Sequence, residues 1–185
     1  MTVKTVLLLI LGGVVANNYA LEKFLGLTPL LGFSGRDQKR LGLGLAVTLV
    51  TVLSAALLWP LQHLVLEPLA LGYLQTLVYV AVVLIVLAVL DLIFRRDGKP
   101  FGLWFPLLAL NSAVLGAAVL NTAAGSFWEC LFGALGAGLG FLLALYLLAG
   151  LRSRIEDDAV PKAFRGLPVE LLAAAILAMT LVAFK

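Results

Sequence analysis

Thiols and imidazoles are almost missing from this chain of 185 residues, which has one cysteine, Cys130, and one histidine, His63. One thiol cannot close an intrachain disulfide, and one thiol with one imidazole cannot complete a zinc or iron–sulfur ligand set. No metal site is expected from this chain alone. Charge is scarce as well: 12% of residues are charged, against about 25% in soluble domains. Apolar residues make up 63% and the mean hydropathy is +1.12. An ordinary water-soluble globule, a disordered tail and a disulfide scaffold are all excluded. There is also no nucleotide-binding glycine loop, flavin-attachment motif or nucleophile–base pair, so no catalytic residue is assigned and the chain alone holds no complete active site. The sequence pI is near 9.2 but the formal charge is only +3. The bases sit between apolar runs, which points to orientation in a lipid bilayer and away from nucleic acid.

Long apolar runs are what the chain does have. Crossing about 30 Å of hydrocarbon takes about 20 mainly apolar residues at about 1.5 Å rise each. Six transmembrane helices are predicted, over about 3–25, 41–60, 69–93, 101–121, 126–150 and 167–184. No hydrophilic segment is long enough for a separate soluble domain, so residues 1–185 form one all-α integral membrane domain. The first span has Lys4 ahead of an apolar stretch, as a signal peptide would. No small-x-small cleavage site follows, and the span is expected to be retained.

Loop charge sets the orientation. The 1–2, 3–4 and 5–6 loops carry ten bases: Arg36, Lys39, Arg40, Arg95, Arg96, Lys99, Arg152, Arg154, Lys162 and Arg165. The other side has only Lys4 and Lys185, with Glu67 and Glu129 in its loops. Short loops rich in Lys and Arg stay in the cytoplasm. Both termini are therefore expected outside, in a multi-pass protein of the cell's inner (cytoplasmic) membrane.

Two spans contain groups that hydrocarbon does not tolerate. The first has Asn17, Asn18, Glu22, Lys23, Gly26, Thr28, Pro29 and Gly32; the fourth has Pro106, Asn111, Ser112 and Gly116. Proline removes a backbone donor and frees carbonyls, which must find partners inside protein. An ordinary kinked helix would account for one such segment. Two, placed at the start of each half, predict two three-helix repeats, about 1–95 and 100–185, with discontinuous first and fourth helices. Asn17-Asn18-Tyr19-Ala20-Leu21 can be laid against Asn111-Ser112-Ala113-Val114-Leu115. An odd number of crossings inverts the second repeat, and paired broken helices of that kind build a site near the midplane. Asn17, Asn18 and Asn111 are the candidates at these breaks.

Weaker features have plainer readings. Gly136 and Gly140 fit small-xxx-small helix packing. Cys130 reads as a small apolar residue, and His63, Trp59, Trp104 and Trp128 as side chains near the membrane interface. Glu156-Asp157-Asp158 reads as a solvated run, with contact to a partner as the alternative.

At the breaks, NNYALEKFLGLTPLLGFS resembles a signature of the A-subunit family of the Rnf electron transport complex. It is also similar to the homologous E-subunit family of the sodium-pumping NADH:quinone oxidoreductase. The resemblance continues through LNSAVLG and VPKAFRG, covers nearly the whole chain, and is closer to the Rnf side. It implies membership of an ion-translocating complex that couples electron transfer between ferredoxin and NAD to sodium or proton movement. It further implies a homologous membrane partner of opposite topology, and flavin and iron–sulfur protein subunits. The two homologous subunits would share a [2Fe–2S] cluster, each giving two cysteines, and those positions are Thr28 and Ser112 here. Iron–sulfur clusters bind through thiolates, so a four-cysteine cluster is not expected. The alternatives are a cluster-less paralogue acting as an ion or small-molecule carrier, and a structural membrane subunit. Thr28 and Ser112 either satisfy backbone groups at the breaks or keep the site's polar geometry while a cluster is absent or held by the partner alone.

Overall fold

The computed structural model describes residues 3–28, 37–96, 108–109, 111–155 and 160–182. The described residues are helical, with no strand among them. Helix α1 (Val3–Leu11) widens into a π-helical turn (Gly12–Ala16), stops at Asn17, and resumes as α2 (Tyr19–Glu22). Helix α3 (Asp37–Leu61) likewise ends in a π-turn (Gln62–Leu66). A 3₁₀ turn (Gly72–Leu74) leads into α4 (Gln75–Arg96), followed by α5 (Ser112–Thr122), α6 (Phe127–Arg152) and α7 (Leu167–Val182).

Among the described residues, four stretches are long and apolar enough to cross a membrane: Val3–Glu22, Leu41–Leu66, Gly72–Ile93 and Phe127–Arg152. The expected fourth and sixth spans appear as the shorter helices α5 and α7. The 11 residues of α5 rise only about 16 Å at about 1.5 Å each, half a hydrocarbon core. The rest of that expected span, including Trp104 and Pro106, lies outside the described residues. So do Pro29, Gly32, Arg36, Lys99 and the Glu156–Asp158 run.

Burial follows the logic of a helix bundle in lipid. Along α3, Leu43, Val47, Val50 and Leu58 are buried, while Leu41, Leu45, Leu49, Leu53 and Leu57 form an exposed stripe. A water-soluble amphipathic helix would put polar groups on that stripe. Polar side chains instead turn inward on this helix: Thr51 and Ser54 are buried, and Thr51 Oγ1 donates to the helix's own carbonyls.

The most extensive interface joins α3 to α6. The helices pack closely at Gly138, where a Cβ would lie 2.6 Å from Thr48 Cα. Around it Val47, Val50, Phe141, Leu145 and Leu148 share one core with Val83 and Leu87 of α4 and Ala174 of α7. Glu170 at the start of α7 is buried and ion-paired with Arg152 at the end of α6.

The break after α3 has a readable cause. Pro60 lies inside the last turn of α3 and the helix then widens. The Trp59 carbonyl meets the His63 ring Nδ1 at 3.0 Å, and the two rings stack with centroids 4.4 Å apart. Trp59 Nε1 donates to the Ala124 carbonyl across the bundle. Cys130 packs with Ala55 and Ala134, and its Sγ lies 3.8 Å from the Ala55 carbonyl.

Candidate functional site

Helix α2 begins because Asn18 caps it. At φ −70°, ψ 104°, its backbone is extended, and its Oδ1 accepts from the amides of Ala20 (3.1 Å) and Leu21 (3.3 Å). An N-cap asparagine satisfies the donors that the first helical turn leaves open. Its Nδ2 donates backward to the Val14 carbonyl and across to the Gly140 carbonyl, both at 2.9 Å. One amide therefore closes the end of the π-turn, opens α2, and ties both to α6. It is 1% exposed.

Helix α5 begins the same way. Asn111 has φ −77°, ψ 107°, and its Oδ1 accepts from Ala113 N at 2.9 Å. The structural counterpart of Asn111 is thus Asn18, one residue beyond the Asn17 that the alignment of the two breaks paired with it. Adjacent asparagines carry no pattern that distinguishes cap from neighbour. Asn17 is exposed, while Asn18 and Asn111 are buried. Among the described residues, buried Asn111 Nδ2 has no hydrogen-bond partner.

The two breaks are bonded to each other. The Gly26 amide donates to Ser112 Oγ at 2.8 Å, across 86 positions of sequence. Gly26 has φ +76°, which favours glycine. A Cβ there would also lie 2.8 Å from Asn111 Oδ1 and 2.9 Å from Phe141. Phe24 adopts φ +52° two residues earlier, a conformation that costs a non-glycine residue energy and clusters at functional sites. Thr28 follows in the same segment; it and Ser112 are exposed on the described chain. The structure therefore brings Asn18, Gly26, Asn111 and Ser112 around one pair of breaks.

Sequence reading missed the bond from Gly26 to Ser112 and the role of Gly140. A Cβ at Gly140 would lie 2.7 Å from the Gly13 carbonyl, so this glycine lets the π-turn sit against α6 where Asn18 reaches its carbonyl. The glycine spacing on α6 was the available signal, but nothing in it identified the asparagine as the group received.

The donor set at the breaks is made of hydroxyls, amides and backbone groups. Ser112 Oγ already accepts from Gly26, and Cys130 is packed with Ala55 and Ala134 on other helices. Among the described residues no group of three His, Cys, Asp or Glu side chains could hold a metal ion. These residues do not fit a thiolate-bound iron–sulfur cluster, which needs soft anionic ligands.

Comparison with known proteins covers nearly the whole chain. The family described as "Rnf-Nqr subunit, membrane protein" matches residues 6–185. The A subunit of the ion-translocating oxidoreductase complex of Syntrophotalea carbinolica is 44% identical over 186 aligned positions, covering 98% of this chain and 96% of the relative. The A subunit of the Na(+)-translocating ferredoxin:NAD(+) oxidoreductase complex of Acetobacterium woodii is 37% identical, covering 98% and 97%. The A subunit of the ion-translocating oxidoreductase complex of an Azoarcus species is 36% identical, covering 96% and 95%.

Proposed function

This chain belongs to the Rnf-Nqr family of membrane subunits, and on that premise we propose how it works within an ion-translocating oxidoreductase complex. It is an integral membrane electron-transport subunit of Rnf/Nqr type, and the full-length match to A-subunit relatives carries that reading. The complex couples electron transfer on the ferredoxin and NAD side to sodium or proton movement across the cell's inner membrane. Ten bases in alternate loops, against two bases on the other side, support both termini outside.

Six spans in two inverted repeats are the topology proposed here. Its support is the pair of Asn-capped helix starts with nearly the same backbone angles, one opening each half of the chain. Two such half-helices meeting within a bundle resemble the sites of inverted-repeat transporters. The exposed hydroxyls at Thr28 and Ser112 make this half of an interface, which a homologous subunit of opposite topology would cover. Polar groups at bilayer depth are expected to face protein. Flavin and iron–sulfur proteins complete the assembly.

In this reading the chain supplies no thiolate at the shared midplane position. The Gly26–Ser112 hydrogen bond joins the two breaks directly, so their approach does not depend on a cluster. Purification through a tag on this chain tests the assignment. The homologous membrane subunit and the flavin and iron–sulfur subunits should co-purify, and deleting the chain should abolish ferredoxin-driven ion uptake into inverted vesicles. A stable lone monomer that moves solute without the other subunits would establish the carrier reading instead.

A further inference from the structure

A buried polar chain lies at the other end of α5. Tyr79 of α4 is fully buried and Thr122 in the last turn of α5 is 1% exposed; their hydroxyl oxygens are 2.7 Å apart. Tyr79 Oη donates to Gln62 Oε1 at 3.1 Å and accepts from Gln75 Nε2 at 3.3 Å. Gln62 belongs to the π-turn after α3, and its Nε2 donates to Glu67 Oε1 at 3.4 Å. Glu67 Oε1 also lies 3.9 Å from His63 Nε2, and its side chain is half exposed. The chain thus runs from open surroundings at Glu67 to the buried end of α5.

Counting hydrogens gives this chain two states. Tyr79 has one O–H and two lone pairs, and Gln75 fills one lone pair. With Glu67 ionised, Gln62 must turn its amide hydrogens toward the carboxylate and its Oε1 toward Tyr79. Tyr79 then donates to Gln62 and accepts from Thr122. With Glu67 protonated, its O–H can donate to Gln62 Oε1 once the amide has turned over. Gln62 Nε2 then donates to Tyr79, and Tyr79 donates to Thr122. The Thr122 hydrogen is left for the Ala118 carbonyl, 2.8 Å away in its own helix. Tyr79 and Thr122 each place their one hydroxyl hydrogen on an acceptor in both states, and the only species added is one proton, on Glu67.

We propose that Glu67 is a proton-binding site whose occupancy is transmitted through Gln62 and Tyr79 to Thr122, reversing the direction of the chain. In one state Thr122 is a donor to α4; in the other it closes the last turn of α5. Protonation at the end of the bundle therefore changes how α5 is held, and α5 is the helix that begins at the candidate site. A π-turn at Gln62–Leu66 fits this role, since such widenings occur often at functional positions. Among the described residues, His63 lies 3.9 Å from Glu67 and Tyr79 is reached through Gln62; Tyr73 is in the 3₁₀ turn that follows and Glu129 in the first turn of α6.

Infrared difference spectroscopy on the full chain in membranes, with ring-labelled tyrosine and Tyr79→Phe to assign the band, reads the reversal directly. A pH step from roughly 8 to 4 supplies the proton. The Tyr79 C–O band should move in the wild type and in His63→Ala, and stay fixed in Glu67→Ala and Gln62→Leu. A band that does not move in the wild type overturns the proposal. So does one that still moves in Glu67→Ala, or that stops moving in His63→Ala.

Discussion

Replacing Asn18 by Ala removes four hydrogen bonds from one buried position, and the structure sets the expected cost. Two of them cap α2, and losing an N-cap asparagine costs about 1 kcal/mol, within a range of roughly 0.5–2. The other two join the π-turn to α6, at about 0.5–1.5 kcal/mol each. The sum is roughly 2–4 kcal/mol. Asn111→Ala removes one cap bond but also a buried amide donor that has no partner among the described residues. Leaving such a donor unsatisfied costs about 1–3 kcal/mol, so its removal offsets the lost cap and the net effect should be about 1 kcal/mol or less. Asn17 is exposed, and Asn17→Ala should stay within about 0.5 kcal/mol. Asn18→Ser separates the terms, because it keeps a capping oxygen and loses both Nδ2 bonds. Unfolding titrations in mixed micelles, followed by circular dichroism, would give the ranking. If Asn17→Ala costs as much as Asn18→Ala, or Asn111→Ala costs more, the assignment of the caps is wrong.

Three further outcomes follow. Gly140→Ala would place a methyl 2.7 Å from the Gly13 carbonyl and should cost about 1–3 kcal/mol by overpacking, read in the same titration. Cys130→Ala should cost about 1.5 kcal/mol or less, and the wild-type thiol, 1% exposed, should react with maleimide only after unfolding. Leu69→Cys and Arg154→Cys, both at exposed positions, should label from outside and from the cytoplasm respectively in intact cells; the reverse pattern would refute the orientation.

Much of the fold was legible because hydropathy and loop charge act over 20-residue windows. The long apolar helices stand where apolar runs stood, and the leucine stripe of α3 faces outward as a membrane helix requires. The starts at Asn18 and Asn111 were legible for the same reason, as asparagines interrupting such runs. Their local chemistry was not. Choosing Asn18 over Asn17 depends on which side chain returns to its own backbone. The pairing of Gly26 with Ser112 spans 86 positions, and no local pattern encodes so distant a contact. The Thr122–Tyr79–Gln62 chain was equally hidden, because its members come from three elements and each alone reads as a helix-end polar residue.

This subunit of the ion-translocating complex has Thr28 and Ser112, and so no thiolate, at the two positions where a cluster would be bound. Iron and acid-labile sulfide per purified complex, measured with the EPR signal, test it most directly when the wild type is compared with the Thr28→Cys, Ser112→Cys double variant. Only the double variant should gain two irons, two sulfides and a [2Fe–2S] signal, with either single change doing much less because an incomplete ligand set leaves a cluster labile. A full cluster at this position in the wild type, unaffected by Thr28→Ala and Ser112→Ala together, would contradict it.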